Sequence, residues 1–462
     1  MKKNIFILIL LIVFATLYIV LNNDIKNIDS NKKKKLDYIF SQKKVDIIEK
    51  NFFPFATLEK QKKLIDQLNY KLSLVISLNY IETRHKAYLY DLPLAKIDEI
   101  KLHNNILLTK YKIYGIFSGI NQKSYGSGYI DFHKDNLFFV SMRGILAYRD
   151  SKNSFNNFKQ ISNNISDFIN INQFNKDNNI SIKDLLIYKE KIYISFTHEI
   201  QSNCFNTSVI FSEVNYNKIN FKPLFVADKC IKINDINEKA KLTEAGGRII
   251  GFDDNHIILS TGDMRWSFTS QDKMYANGKL LKININNRKF DIISMGHRNP
   301  QGLYYDDKKN ILLQTEHGPM GGDEINIIDL TRKDIANYGW PLASYGEHYH
   351  YNEKLKKEND NIYQKYPLHK SHEKYGFIEP VKYFVPSIGI SEITKVNNEK
   401  YVVSSLRDRS IYFFNLNIDN KIENLIRISI DDRVRDLIYK DNYLYLIFED
   451  TGSLGVINLK DR

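Results

Sequence analysis

Cysteine is nearly absent from this chain of 462 residues, which has only Cys204 and Cys230. Two cysteines exclude a disulfide-dense scaffold, and with no further Cys and no His cluster beside them they do not make a zinc site. In an exported protein an even pair is a candidate disulfide around one hairpin-like segment; two free buried thiols are the alternative. Several catalytic signatures are missing as well. No Ser nucleophile turn and no His-Glu-x-x-His pair occurs, and the stretch GPMGGDE lacks the Gly-Lys-Ser/Thr of a phosphate loop. Nucleic-acid motifs are absent too. The net charge of +12 comes from scattered lysines, which read as a solvated basic surface.

Long apolar runs are also scarce, with one exception at the start. Lys2 and Lys3 precede an uncharged run from Asn4 to Asn23, the ~20 residues that a bilayer helix needs. The basic residues lie on the side that stays cytoplasmic. No small-residue cleavage site follows the run, so residues 1–23 are expected to be an uncleaved signal anchor, with the body in the periplasm; a cleaved signal peptide is the alternative, and Lys32–Lys35 opposes the orientation. From 24 to 104 the spacing of Leu36, Ile39, Val45 and Ile48, then Leu64, Leu68, Leu72 and Ile76, predicts a small helical stalk or cap.

What the chain has in abundance is aromatic residues, 30 Tyr and 27 Phe, which suit half-buried strands. From 105 to 462 short apolar runs alternate with polar turns. Six such turns lead into a buried-looking run: Asp135-Asn136, Lys189–Lys191, Asp253–Asn255, Lys308–Asn310, Asn397–Lys400 and Lys440–Asn442. They predict an all-β fold of six propeller blades, closed by the strand Gly455–Leu459 pairing with an early one. A pair of β-sandwiches is the alternative, because alternation alone does not fix closure.

One stretch organises the rest. Gly296–Pro341 carries three polar, glycine-punctuated clusters, GHRNPQG, EHGPMGGDE and NYGWP, between strand-like runs. Chemistry on a β scaffold is carried on such strand-end loops. Pro300 biases Asn299 toward an extended conformation, so the Arg298-Asn299 pair is held and suits an anionic, oxygen-rich ligand. These clusters, in this order, resemble the signature of the soluble glucose/sorbosone (aldose sugar) dehydrogenase family. The resemblance is dense over Glu244–Pro341 and returns at Val381–Ser387 and Arg407–Glu449. It implies a six-bladed β-propeller that uses pyrroloquinoline quinone (PQQ) and calcium to oxidise a sugar or related alcohol, passing the electrons to a separate acceptor.

Residue by residue, the resemblance implies that Arg298, Asn299, Arg433 and Arg435 hold the quinone, and that the carbonyls of Gly318 and Pro319 coordinate calcium. Arg407 stands where the family usually has lysine and keeps the charge. Arg248, in TEAGGRII, supplies a further fork of donors. Glu244 stands where the family has its catalytic histidine, while Asp263 keeps the place of the aspartate that orients it. Two carboxylates side by side raise one pKa, which leaves a workable base. Two readings follow. Either Glu244 and Asp263 replace the usual base pair, or oxidation is lost with the histidine and the propeller is a non-catalytic module binding carbohydrate or protein. His317 is expected to be loop scaffolding. The His-bearing insertion Ala343–Ile378 is read as a long loop over one propeller face.

Overall fold

A computed structural model describes residues 91–460, except 104–105, 116–126, 151–156, 178, 233–241, 350–355 and 398, together with Gln61, Leu64 and Ile65 in helix. The expected anchor at 1–23 and nearly all of the expected helical region lie outside the described residues. Among the described residues no helix is long and apolar enough to cross a membrane.

Six sheets of four or five strands, antiparallel except for a short parallel edge pairing in two of them, follow one another along the chain. Their innermost strands are Gly128–His133 (blade 1), Ile182–Tyr188 (blade 2), Gly246–Asp253 (blade 3), Pro300–Asp306 (blade 4), Ile390–Lys395 (blade 5) and Val434–Lys440 (blade 6). Each of the six expected turns is the hairpin between a blade's first and second strands. Lys189-Glu190 and Asp441-Asn442 both have φ of 50–69° at the two central positions, the mirror-image turn that matches strand twist. Blade 6 is completed from the other end of the chain. Its strand Ser453–Asn458 pairs with Leu107–Ile113, and Leu94–Lys101 adds outside that. The propeller therefore begins at Leu94, within the range expected to be helical.

Closure into a ring is visible in the packing. Six apolar clusters each draw on two neighbouring sheets: blades 1 and 2, 2 and 3, 3 and 4, 4 and 5, 5 and 6, and 6 and 1. Two sandwiches would give two cores. Around the axis, side chains stitch each inner strand to the next. Asp436 Oδ2 accepts from Ile130 N at 2.7 Å, Asp131 Oδ2 from Ile187 N at 2.5 Å and Asp184 Oδ2 from Ile249 N at 2.7 Å. Arg248 Nε donates to Gln301 O, Leu303 N to Glu392 Oε1, and Ser391 Oγ to Arg435 O. Each buried strand amide named here finds a partner in the neighbouring blade, which satisfies groups that would be costly to leave bare.

Five of the six inner strands slip register at their first residues, as between Ile182 and Asp184, Gly246 and Ile249, and Val434 and Asp436. Such bulges re-aim side chains. Here Lys183, Arg248, Gln301 and Arg435 line the axial cavity from these strand starts. Cys204 and Cys230 form a disulfide that ties the third strand of blade 2 to the segment after it.

Candidate active site

The axial cavity encloses about 1010 Å³ and is lined by seven cationic side chains against three carboxylates. An excess of positive charge in a low-dielectric cleft favours an anionic ligand.

The three motif clusters meet at its wall. His297 is fully buried, with Nδ1 3.1 Å from Glu316 Oε1, Nε2 2.8 Å from Ser294 Oγ and its ring stacked on Tyr338. Arg298 N donates to Glu316 Oε2, His317 N to Asn299 O, and Trp340 N to Gly296 O. The first cluster is thus clamped by the other two, and the first histidine is structural.

Arg298 spans the site. Its Nη1 donates to the carbonyls of His317 and Gly318 at 3.1 and 2.7 Å, and its Nη2 to Glu244 Oε1 at 2.7 Å. Glu244 lines the cavity, and its Oε1 also accepts from Arg265 Nε at 3.3 Å. Its Oε2 is buried with no hydrogen-bond partner. Asp263 lies behind, fully buried and outside the cavity lining, accepting from Trp340 Nε1 at 2.7 Å and Arg265 N at 2.8 Å. Burial, and then the nearby Glu244, push its carboxyl up to about 7. The two expected catalytic carboxylates are therefore adjacent, with Glu244 at the surface of the cavity and Asp263 supporting it.

Asn299 fixes the state of His317. Its Oδ1 accepts from Gly246 N and Gln301 Nε2, so its Nδ2 faces His317 Nδ1 at 3.4 Å. The imidazole consequently carries its proton on Nε2, where that buried donor has no partner. Burial holds this histidine below its usual pKa, opposed by Asp323. His317 lines the cavity, a closer role than the scaffolding expected of it.

The other expected residues divide. Arg435 lines the cavity with its Nε and Nη2 on Glu449 Oε2 and its Nη1 on Gln301 Oε1. Arg433 is partly exposed and reaches Glu449 at 3.5 Å. Arg407 lines the cavity with an exposed side chain and no hydrogen-bonding or ionic partner among the described residues. Arg248 also lines it, but every nitrogen of its guanidinium is engaged, by Asp184, Glu392, Asp436 and the carbonyls of Gln301 and Arg435. It is the ionic hub of the propeller axis rather than a free donor for a ligand. Gly318 faces the cavity, whereas Pro319 is buried outside its lining. Among the described residues no group of three or more His, Cys, Asp or Glu is arranged to hold a metal ion.

Several lining residues, Arg143 among them, were not singled out from the sequence. Lys183 sits in ISIKDLLIY, which reads as plain alternation. Glu449 lies one strand beyond the DRVRD arginines it pairs with. Tyr349 comes from the Ala343–Ile378 insertion, which contains a helix, Lys356–Lys365, and brings this ring over the Arg298 guanidinium. The run of Tyr and His in that insertion was the available signal for Tyr349.

Fold and site together define a six-bladed propeller with a cationic axial cavity, the Glu244 carboxylate on its wall and Asp263 buried behind it. The chain belongs to the glucose/sorbosone dehydrogenase family, whose model matches residues 187–456. It is 29% identical over 231 residues to the aldose sugar dehydrogenase YliI of Escherichia coli (strain K12), covering 45% of this chain and 58% of that one. Quinoprotein glucose dehydrogenase B of Acinetobacter calcoaceticus is 41% identical over 80 residues, 15% of this chain and 16% of that one. The chain thus spans little more than half of the first of these relatives. In structure, the soluble aldose sugar dehydrogenase of Escherichia coli in its apo form matches with a TM-score of 0.56 at 20% identity, over 80% of this chain and 100% of that one, a likeness of fold.

Proposed function

We propose that the chain is an oxidoreductase acting on the CH–OH group of a sugar, with PQQ as its cofactor. The observation that carries this reading is Glu244, which lines the cationic cavity beside Arg298 and Asn299 and whose buried Oε2 has no hydrogen-bond partner. The residues fit a tricarboxylate quinone: Arg407 has no ionic partner among the described residues, and His317 lines the cavity with a buried Nε2 that has no hydrogen-bond partner. When bound, the quinone supplies the hydride acceptor. Arg407, Arg433 and Arg435 bind carboxylates, and His317 Nε2–H and Arg298 orient the ligand. The Glu244 carboxylate accepts the proton from the hydroxyl oxygen as the carbon bearing that hydroxyl gives up its hydride, so that the O–H and C–H bonds are replaced by C=O. Asp263, anchored by Trp340, limits the movement of the segment that carries Glu244.

Calcium fits less well. The carbonyl of Gly318 already accepts from Arg298, a cation, and Pro319 stands outside the lining, so no step is assigned to a metal. The body is proposed to be periplasmic and tethered by residues 1–23; the Cys204–Cys230 disulfide supports an oxidising compartment.

One observation favours the non-catalytic alternative, a module that binds carbohydrate or protein. Glu244 Oε1 is held by two guanidinium groups, an arrangement that a purely structural carboxylate would also adopt. The test is Glu244→Gln in the full chain loaded with PQQ. Turnover of an aldose should fall by roughly 10²–10⁴-fold, the contribution of a positioned general base, while quinone binding, read by absorbance, persists. Wild-type protein that binds PQQ without ever oxidising an aldose would favour the binding module.

A further inference from the structure

Lys183 is a half-buried cation of the cavity that the proposed chemistry leaves unused, as it does the buried Arg143. The register slip at the start of its strand turns it to the axis. Its stem packs where Gly247 has no side chain: a Cβ there would lie 2.3 Å from Lys183 Cβ. Its ammonium donates to Asn179 O at 3.0 Å and has no carboxylate partner among the described residues. The lining arginines Arg248, Arg298 and Arg435 each hold one. Burial pushes the Lys183 ammonium down to about 7, and Arg435 pushes the same way. A half-buried ammonium without a counter-ion carries part of the desolvation cost of a buried one, and an anion from outside would offset it.

The position of Lys183 sets it across the axis from Arg407, while Arg435 lies near enough to act on its charge. It belongs to blade 2, whereas Arg407 follows the inner strands of blade 5 and Arg433 and Arg435 begin blade 6. In a ring of six, blades 2 and 5 face each other across the axis. Ser181 Oγ donates to the same Asn179 carbonyl and also lines the cavity, so hydroxyl and ammonium stand together. An ammonium beside a hydroxyl, with the Arg143 and Arg435 charges nearby, suits a carboxylate.

We propose that Lys183 is a specificity-determining residue that receives a carboxylate of the substrate, so that the sugar oxidised is a hexuronic acid rather than a neutral aldose. This rests on the dehydrogenase reading above. The test uses the full chain, wild type and Lys183→Met, with calorimetric titration of glucuronate and of glucose into quinone-free protein and a separate titration of PQQ. A charge-assisted hydrogen bond corresponds to about tenfold or more in affinity. Wild type should prefer glucuronate by that factor, and Lys183→Met should abolish the preference. Thermal unfolding checks that the variant is folded, and Lys183→Arg, which keeps the charge, should retain part of the preference. Equal binding of the two sugars by wild type overturns the proposal. So does a variant that loses PQQ affinity while keeping the sugar preference, since Lys183 would then serve the cofactor. Failure of wild type to bind PQQ overturns instead the quinoprotein reading, which the sugar titrations do not depend on.

Discussion

At the scale of the residue, Arg248 shows how a side chain changes meaning once its neighbours are known. In sequence it is a fork of donors beside two glycines; in the fold it is enclosed by Asp184, Glu392 and Asp436. Removing one partner from a buried ionic group leaves the others uncompensated. Arg248→Met should therefore lower stability by about 3–5 kcal/mol, measured by urea unfolding, with the quinone-free protein sufficient for the test. A loss below ~1 kcal/mol would mean that the three carboxylates are held protonated without it. Arg407 provides the contrast: it is exposed and unpaired, so Arg407→Ala should leave the urea midpoint nearly unmoved while weakening PQQ binding measurably.

At the scale of the element, the hairpin of blade 3 and the turn carrying Glu244 are in backbone contact. Gly262 N donates to Ala245 O and Met264 N to Glu244 O. A Cβ on Gly262 would meet Glu244 O at 2.0 Å. Backbone cannot yield as a flexible side chain does, so Gly262→Ala should displace the Leu242–Glu244 turn. The expected result is a loss of about 1–3 kcal/mol in stability, with a fall in aldose turnover larger than that loss explains at a temperature where the variant is folded. Unchanged kinetics would show that the position of Glu244 is not critical. The bulges that open the inner strands work the same way in reverse, by turning Lys183, Gln301 and Arg435 into the cavity where strict alternation would not.

At the scale of the whole molecule, the axis gathers acids whose burial raises their pKa: Asp131 and Asp184 to about 7 and Glu392 to about 8. The native state binds these protons more tightly than the unfolded chain, which releases them near pH 4. Stability from this source is thus greatest in acid and is lost as pH rises from about 4 to 8. Lys183 and Lys279, pushed down to about 7 by burial, act in the opposite sense. Their unfolded forms hold protons to about pH 10, so stability recovers between about 7 and 10. The urea midpoint of the quinone-free protein should fall from pH 5 to about 7 and rise again between about pH 8 and 10. A midpoint that rises steadily from pH 5 to 8 would mean that the axial carboxylates are ionised in the folded state. Ring closure makes a further prediction. Deleting residues 1–114 removes both outer strands of blade 6 and bares the edge of Ser453–Asn458, so the truncated chain should aggregate or melt well below the full chain in a thermal scan.

The sequence by itself determined the six hairpins, because turn residues and apolar runs are local signals, and it determined the family, because GHRNPQG, EHGPMGGDE and NYGWP are contiguous words. It also placed Glu244 and Asp263 as a pair. What it left to the tertiary structure was everything that depends on the ring. Closure through Leu107–Ile113 joins strands more than 340 residues apart. Asp263 stands behind Glu244 because Trp340 holds it there. Lys183 faces the axis because a bulge turns it. Local pattern specifies which segments become strands, but the burial, charge partners and orientation of a side chain at the axis are set by the other blades, and those become neighbours only when the ring closes.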